Sequence, residues 1–170
     1  MEYTIRPATF DDAEAIRAIY NAAVETTTAS LDTEPRSVEV QQEWMRRHDF
    51  NPWPAYVAVV EGHVVGWASL SPYNPKPGYR TTAENSLYVS PEFRGQGLGA
   101  ALLQHLVDTA PAHGVREIVA LITSENTVSL AMHTRYAFRE VGTLQRVGRK
   151  FGRWIDVTLM QRSVEIPETR

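Results

Sequence analysis

The chain contains no cysteine. Disulfides, thiolate metal ligands and a cysteine nucleophile are therefore excluded, and any acyl group it transfers cannot pass through an acyl-cysteine. An excess of charge of one sign is also missing: 17 Lys and Arg stand against 20 Asp and Glu, a formal net charge of -3. No basic field exists to hold nucleic acid or an anionic membrane surface, and neither is expected as a partner. Long apolar runs are absent too; stretches such as 118–122 fall far short of the roughly 20 residues that a spanning helix needs. Residues 1–9 carry Glu2, Arg6 and Pro7 where a signal peptide would be apolar, so a cytoplasmic location is expected. The five histidines, at 48, 63, 105, 113 and 133, show no paired ligand spacing, and no metal is expected.

What is present fits one folded unit. A chain of 170 residues with 43% hydrophobic content can bury a core of its own, expected over 1–165 with a short tail at 166–170. A short strand at 4–6 stops at Pro7, and Asp11 or Asp12 offers an N-cap. Ala13, Ile16, Ile19, Tyr20 and Ala23 recur at helical steps, giving one apolar face. A polar loop spans 26–36, and Ser37 caps a second helix through about His48. The β-rich runs 56–60 and 64–70 flank Glu61-Gly62-His63, a hairpin signature. A loop at 71–78 precedes a strand at 81–89. Then come a helix at 100–110, a buried strand at 117–122, a helix at 126–135, and strands near 138–147 and 154–161 linked through 149–153. This order predicts an α/β fold with one sheet and helices on its faces.

The most informative segment is Ser90-Pro91-Glu92-Phe93-Arg94-Gly95-Gln96-Gly97-Leu98-Gly99-Ala100. A strand runs into a glycine-rich turn that opens a helix. The unpaired N–H groups and positive dipole end of such a helix form an anion site. Alternate glycines let a diphosphate approach the backbone, and Arg94 adds a fixed cation. Gly95-x-Gly97-x-x-Ala100 also matches a dinucleotide fingerprint, but that turn should follow the first strand of its fold, and here several strands precede it. No Lys-Ser or Lys-Thr pair completes a P-loop.

Arg94-x-x-Gly97-x-Gly99, following Tyr88-Val89, resembles the acetyl-CoA signature of the GNAT superfamily of N-acetyltransferases. Asn126-x-x-Ser129-x-x-x-His133, followed by Phe138, resembles the later helix of that superfamily, where an asparagine and a small residue face the cofactor arm. Ile5-Arg6-Pro7-Ala8, Asp32-Thr33-Glu34-Pro35, Thr82-Ala83-Glu84 and Lys150-Phe151-Gly152-Arg153-Trp154 narrow the likeness to the phosphinothricin and methionine sulfoximine acetyltransferases. Ala137 stands where those relatives usually have glycine, Arg135-Tyr136 replaces an apolar pair, and the loop Asn74-Pro75-Lys76-Pro77 differs among relatives. The resemblance implies a single mixed, mostly antiparallel sheet of about seven strands with helices on both faces. It further implies acetyl-CoA as co-substrate, a small amino-acid-like amine as acceptor, and a homodimer.

It also implies site residues. Leu87, Tyr88, Val89, Arg94, Gly95, Gln96, Gly97, Leu98, Gly99, Ala100, Asn126 and Ser129 would hold the cofactor, a main-chain N–H near 87–89 meeting the thioester carbonyl. Glu84 would be the base. An ordinary Glu near 4.3 and an α-amine near 8 differ by roughly 3.5 units, about 5 kcal/mol, which favours deprotonation through water. His133 is placed either to protonate the departing thiolate or to hydrogen-bond beside the pantetheine arm, with Tyr136 as the weaker alternative donor. A substrate carboxylate calls for Arg or Lys, for which Arg80 and Lys76 are candidates, with Tyr79, Asn74 and Pro75 closing that loop and Leu31 lining the pocket. Arg153 and Trp154 would reach the pocket across a dimer interface, or Trp154 would be a core residue. Two competing functions stand beside this one: acetylation of a protein N-terminus or lysine, which would need an open groove, and a non-catalytic acyl-CoA- or nucleotide-binding regulator.

Overall fold

Branched and aromatic runs lay down a sheet, and helices with one apolar face fill each side of it. The computed structural model describes residues 1–49 and 52–165; the expected tail at 166–170 lies outside the described residues. β1 (Thr4–Pro7) leads through a single tight turn into α1 (Ala13–Thr26), whose Ile16, Ile19, Tyr20, Ala23 and Val24 are buried. Asp12 precedes α1 but does not cap it by side chain. Its carboxylate turns back to the Thr9 N–H (2.8 Å) and to both terminal nitrogens of Arg6 (2.7 and 2.9 Å). Burial would raise the Asp12 pKa, but those Arg6 and Thr9 hydrogen bonds outweigh it and hold it below the ordinary value. α2 (Val38–Arg47) is capped as expected, with Ser37 Oγ accepting the Val40 N–H at 3.2 Å.

β2 (Ala55–Val60) and β3 (His63–Pro72) form the expected hairpin, turning on Glu61 and Gly62, both at positive φ. There follow β4 (Thr82–Val89), α3 (Leu98–Thr109), β5 (Glu117–Thr123), α4 (Thr127–Arg135), β6 (Arg139–Lys150) and β7 (Arg153–Ser163). The link expected at 149–153 is shorter: only Phe151 and Gly152 turn, both with positive φ, and the flanking residues pair.

All seven strands join one sheet in the order β1–β2–β3–β4–β5–β7–β6, and β4–β5 is its one parallel pair among the described residues. The fold is thus the mixed, mostly antiparallel α/β sheet that the sequence implied. Leu98, Leu102, Leu103 and Leu106 of α3 pack with Leu70, Ile118 and Phe138 on one face. Ile16, Tyr20, Met45, Val57 and Trp67 fill the other, beneath α1 and α2. Among the described residues no helix is long and apolar enough to cross a membrane.

One irregularity creates the site. β4 and β5 pair only at Thr82 with Glu117, Ala83 with Ile118 and Glu84 with Val119. Both strands then run on, β4 to Val89 and β5 to Thr123, without meeting. On β4, Thr82 O accepts from Tyr73 N and Ser90 N donates to Val65 O, so even-numbered residues bond toward β3. Strand alternation therefore turns the N–H groups of Asn85, Leu87 and Val89 into the gap.

Candidate active site

A cleft of about 1040 Å³ lies between the open end of β4, the start of α3 and α4. It gathers Leu87, Tyr88, Val89, Arg94, Gly95, Gly97, Leu98, Gly99, Ala100, Asn126 and Ser129, eleven of the residues expected at the cofactor. Gln96 is the exception; its amide folds back to donate to Glu92 O at 3.1 Å, which turns it away from the cleft. Gly97 caps α3 at φ 85, a conformation that a side chain would strain. The first helical bond of α3 is Ala101 N–H to Gly97 O, so the N–H groups of Leu98, Gly99 and Ala100 remain outside the helix ladder. A Cβ added at Gly95 or Gly97 would meet nothing within 4 Å, so the surface above them is open. Arg94 is pinned at this mouth by Nε donating to Val89 O at 3.1 Å. Open donors, an arginine and an adjoining slot between strands suit a diphosphate with a long amide-bearing arm.

A second cavity of about 320 Å³, reaching to α1 and α2, adjoins the cleft. Ala29, Leu87, Tyr88, Asn126 and Ser129 line both spaces, so they share a wall. Glu84 and Leu31 line the smaller one as expected. Among the described residues nothing pairs with the half-buried Glu84 carboxyl, and burial raises its pKa. Leu31 packs on Gly148 so closely that a Cβ there would lie 2.6 Å from its methyl.

Asn74, Pro75, Lys76, Tyr79 and Arg80 line neither cavity. Asn74 Oδ1 accepts the Lys76 N–H at 3.0 Å, Pro77–Tyr79 coil into a tight turn, and Tyr79 packs edge-on against Tyr73. The loop is organised on itself at the surface, so this chain alone does not bring it into either cavity, where it was expected to bind substrate.

His133 lies on the wall of the smaller cavity, buried, with both ring nitrogens engaged. Nδ1 faces Ser129 O at 2.8 Å and must carry the proton, leaving Nε2 to accept from the Asn85 amide at 3.0 Å. Burial lowers its pKa. A neutral imidazole with no free N–H does not suit the proton-donor role that was one of its two expected readings. Tyr136 lines the larger cleft.

Several site residues were not anticipated. Asn85 follows Glu84 on the opposite face of β4, a position that strand alternation alone would flag. Arg36, Tyr20, Trp44 and Trp67 line the smaller cavity, and Arg36 is a lone cation in a loop whose contacts the sequence does not show. That loop is held from three sides. Tyr20 OH binds Ser30 Oγ at 2.8 Å and donates to Asp32; Lys150 Nζ donates to Ser30 O at 2.7 Å; and Thr28 Oγ1 donates to Glu125. Arg153 is engaged within its own chain, donating to Glu125 at 2.5 and 2.7 Å, and with Thr28 it draws that carboxyl down to about 2. Trp154 is 59% exposed and so is not a core residue.

Residues 16–138 match the model of the acetyltransferase (GNAT) family. The chain is 40% identical over 166 residues to the L-methionine sulfoximine/L-methionine sulfone acetyltransferase of Pseudomonas paraeruginosa, covering 97% of this chain and 96% of that one. It is 36% identical over 164 residues to the phosphinothricin N-acetyltransferase of Streptomyces coelicolor, covering 95% and 96%. The crystal structure of a GNAT superfamily phosphinothricin acetyltransferase from Sinorhizobium meliloti in complex with acetyl-CoA superposes with a TM-score of 0.93 at 35% identity, over 96% of this chain and 89% of that one. Glycine turn, split strands and full-length likeness agree, and the chain belongs to the GNAT family of acetyltransferases.

Proposed function

We propose that this acetyltransferase transfers the acetyl group of acetyl-CoA to the α-amino group of a small amino acid of methionine sulfone, methionine sulfoximine or phosphinothricin type, within one ternary complex. The carrying observation is that Glu84 lines a small cavity that shares a wall, including Leu87 and Tyr88 of the parted strand β4, with the cleft of the glycine turn. A cavity of about 320 Å³ suits a small molecule better than a protein terminus, which would need an open groove.

Bound acetyl-CoA would supply an activated acetyl group on a thiol leaving group. The residues present fit it: N–H groups of Leu98, Gly99 and Ala100 with Arg94 for the diphosphate, and the free edge of β4 for the arm. The Leu87 N–H, turned into the gap, is placed to meet charge developing on the acyl oxygen, a contact worth several kcal/mol in barrier height. Glu84 takes the proton of the incoming ammonium through water; its raised pKa narrows the gap to the amine. His133, locked between Ser129 and Asn85, orients that wall and delivers no proton.

We also infer that two copies pair through β6. Among the described residues this strand bonds only to β7, and Val141, Leu144 and Val147 on it, with Phe151 and Trp154 at the β6–β7 turn, are exposed.

The test is thiol release from acetyl-CoA with L-methionine sulfone, L-methionine sulfoximine and L-phosphinothricin. Saturable release with at least one is expected, and release with none refutes the reading.

A further inference from the structure

Arg36 presents an unspent cation to the same cavity as Glu84. Its backbone is clamped to α1 at both polar groups: the N–H donates to Asn21 Oδ1 at 2.8 Å, and the C=O accepts from Asn21 Nδ2 and Arg17 Nη1, both at 3.1 Å. Its guanidinium carbon lies over aromatic rings, 3.7 Å from the Tyr20 centroid and 5.7 Å from that of Trp44. Contact with the ring faces holds the cation in place, and its N–H donors remain available for hydrogen bonds. Only Nη1 has a side-chain partner among the described residues, the neutral Gln41 Oε1 at 3.2 Å, and no carboxylate lies within 4.0 Å.

A pre-positioned arginine without an anion, in a cavity of substrate size, lacks the partner its geometry suits. Glu84 lines the same space and is not that partner. One unpaired carboxylate and one unpaired guanidinium in a single small cavity complement a zwitterion, whose amine and carboxylate are both carried by the α-carbon.

Resting on the acetyl-transfer reading above, we propose that Arg36 is the specificity-determining residue that binds the α-carboxylate of the amino-acid substrate, setting the amine toward Glu84. The task thereby moves from Arg80 and Lys76, which line neither cavity, to a residue on the loop between α1 and α2. Every candidate substrate named above carries this carboxylate, whereas only phosphinothricin carries a second anion in its side chain. The prediction therefore concerns the group they share.

The experiment compares L-methionine sulfone with its primary carboxamide in the wild type, R36Q and R80Q. Wild type should prefer the carboxylate by about tenfold to a hundredfold in kcat/KM, the range of a hydrogen-bonded charge pair. In R36Q that ratio should fall to within about threefold, mainly through KM for the amino acid, while R80Q keeps it. Calorimetric binding of methionine sulfone to the CoA-loaded protein should weaken in R36Q in parallel, and R36K should restore part of it. A ratio unchanged in R36Q, lost in R80Q, or absent in the wild type overturns the proposal. So does equal loss on both substrates, which would make Arg36 structural, with a lowered melting temperature as its sign. If no amine releases thiol, the transfer reading fails by itself; the calorimetric arm still decides for or against Arg36.

Discussion

The Asn85 amide donates to Nε2 of His133 at 3.0 Å, on the wall of the smaller cavity. The pair fixes more than a distance. With Nδ1–H given to Ser129 O, the ring is held in one tautomer, and burial disfavours its charged form. Asn85 Oδ1 stays buried with no partner among the described residues. Imidazole nitrogen NMR on the wild type should show His133 neutral through pH 6.5–8, titrating below the ordinary histidine value. In N85D a carboxylate would face Nε2, and the His133 pKa should rise by about one to two units. A wild-type His133 that titrates above 6.5 would restore the proton-donor role.

Glu84→Gln separates chemistry from binding. Loss of a base should lower kcat by about 10²–10⁴-fold, while acetyl-CoA affinity stays within about twofold. The wild-type acid limb of kcat/KM should lie above the ordinary glutamate value, since the base must be ionised and burial raises its pKa. That limb should vanish in the variant. Equal loss of turnover and acetyl-CoA affinity would remove Glu84 from the chemistry.

The same burial has a stability consequence of opposite sign to activity. A carboxyl whose folded pKa is raised favours folding below its unfolded pKa and loses that contribution as pH rises through the folded value. E84Q should therefore melt higher than wild type at pH 8, with the difference shrinking toward pH 4. Thermal melts across that range check it, and a variant less stable at pH 8 would show an unseen partner for the carboxylate.

The glycine turn was legible because it depends on local rules, positive φ and an exposed helix end, whereas the role expected of Glu84 came from the family resemblance. The placement of Arg36 was not legible, because it is set by Asn21 and Tyr20 on α1, across a polar loop with no periodicity. The surface placement of the loop at 74–80 was hidden for the matching reason. Its charges are visible in sequence, but the Asn74 turn and the Tyr73–Tyr79 contact that hold it at the surface are not. The register between β4 and β5 was equally hidden, since neither strand changes composition where they part.

Ala137 carries a strain that glycine would relieve. It sits at φ 61 between α4 and β6. A Cβ in the left-handed region costs about 1–2 kcal/mol, partly offset by glycine's greater freedom when unfolded. Ala137→Gly should stabilise by about 1 kcal/mol, raising the melting temperature by roughly 2–4 °C for a chain of this size. A lowered melting temperature would mean that the methyl packs usefully.

The outer edge of β6 tests the pairing of copies. The strand carries two irregularities in its register, between Glu140 and Gly142 and between Leu144 and Gly148, and Arg146 adopts positive φ. Such kinks twist an edge and hinder open-ended strand addition, yet Leu144 and Val147 stay about half exposed. A closed pair would cover them without inviting a fibre. Sedimentation equilibrium should give twice the 19.1 kDa chain mass at micromolar concentration. The double variant L144D/V147D should weaken association by about a hundredfold or more, since two buried anchors become unpaired charges. A wild type that sediments as a monomer, or a double variant that still pairs, rules out β6 as the contact.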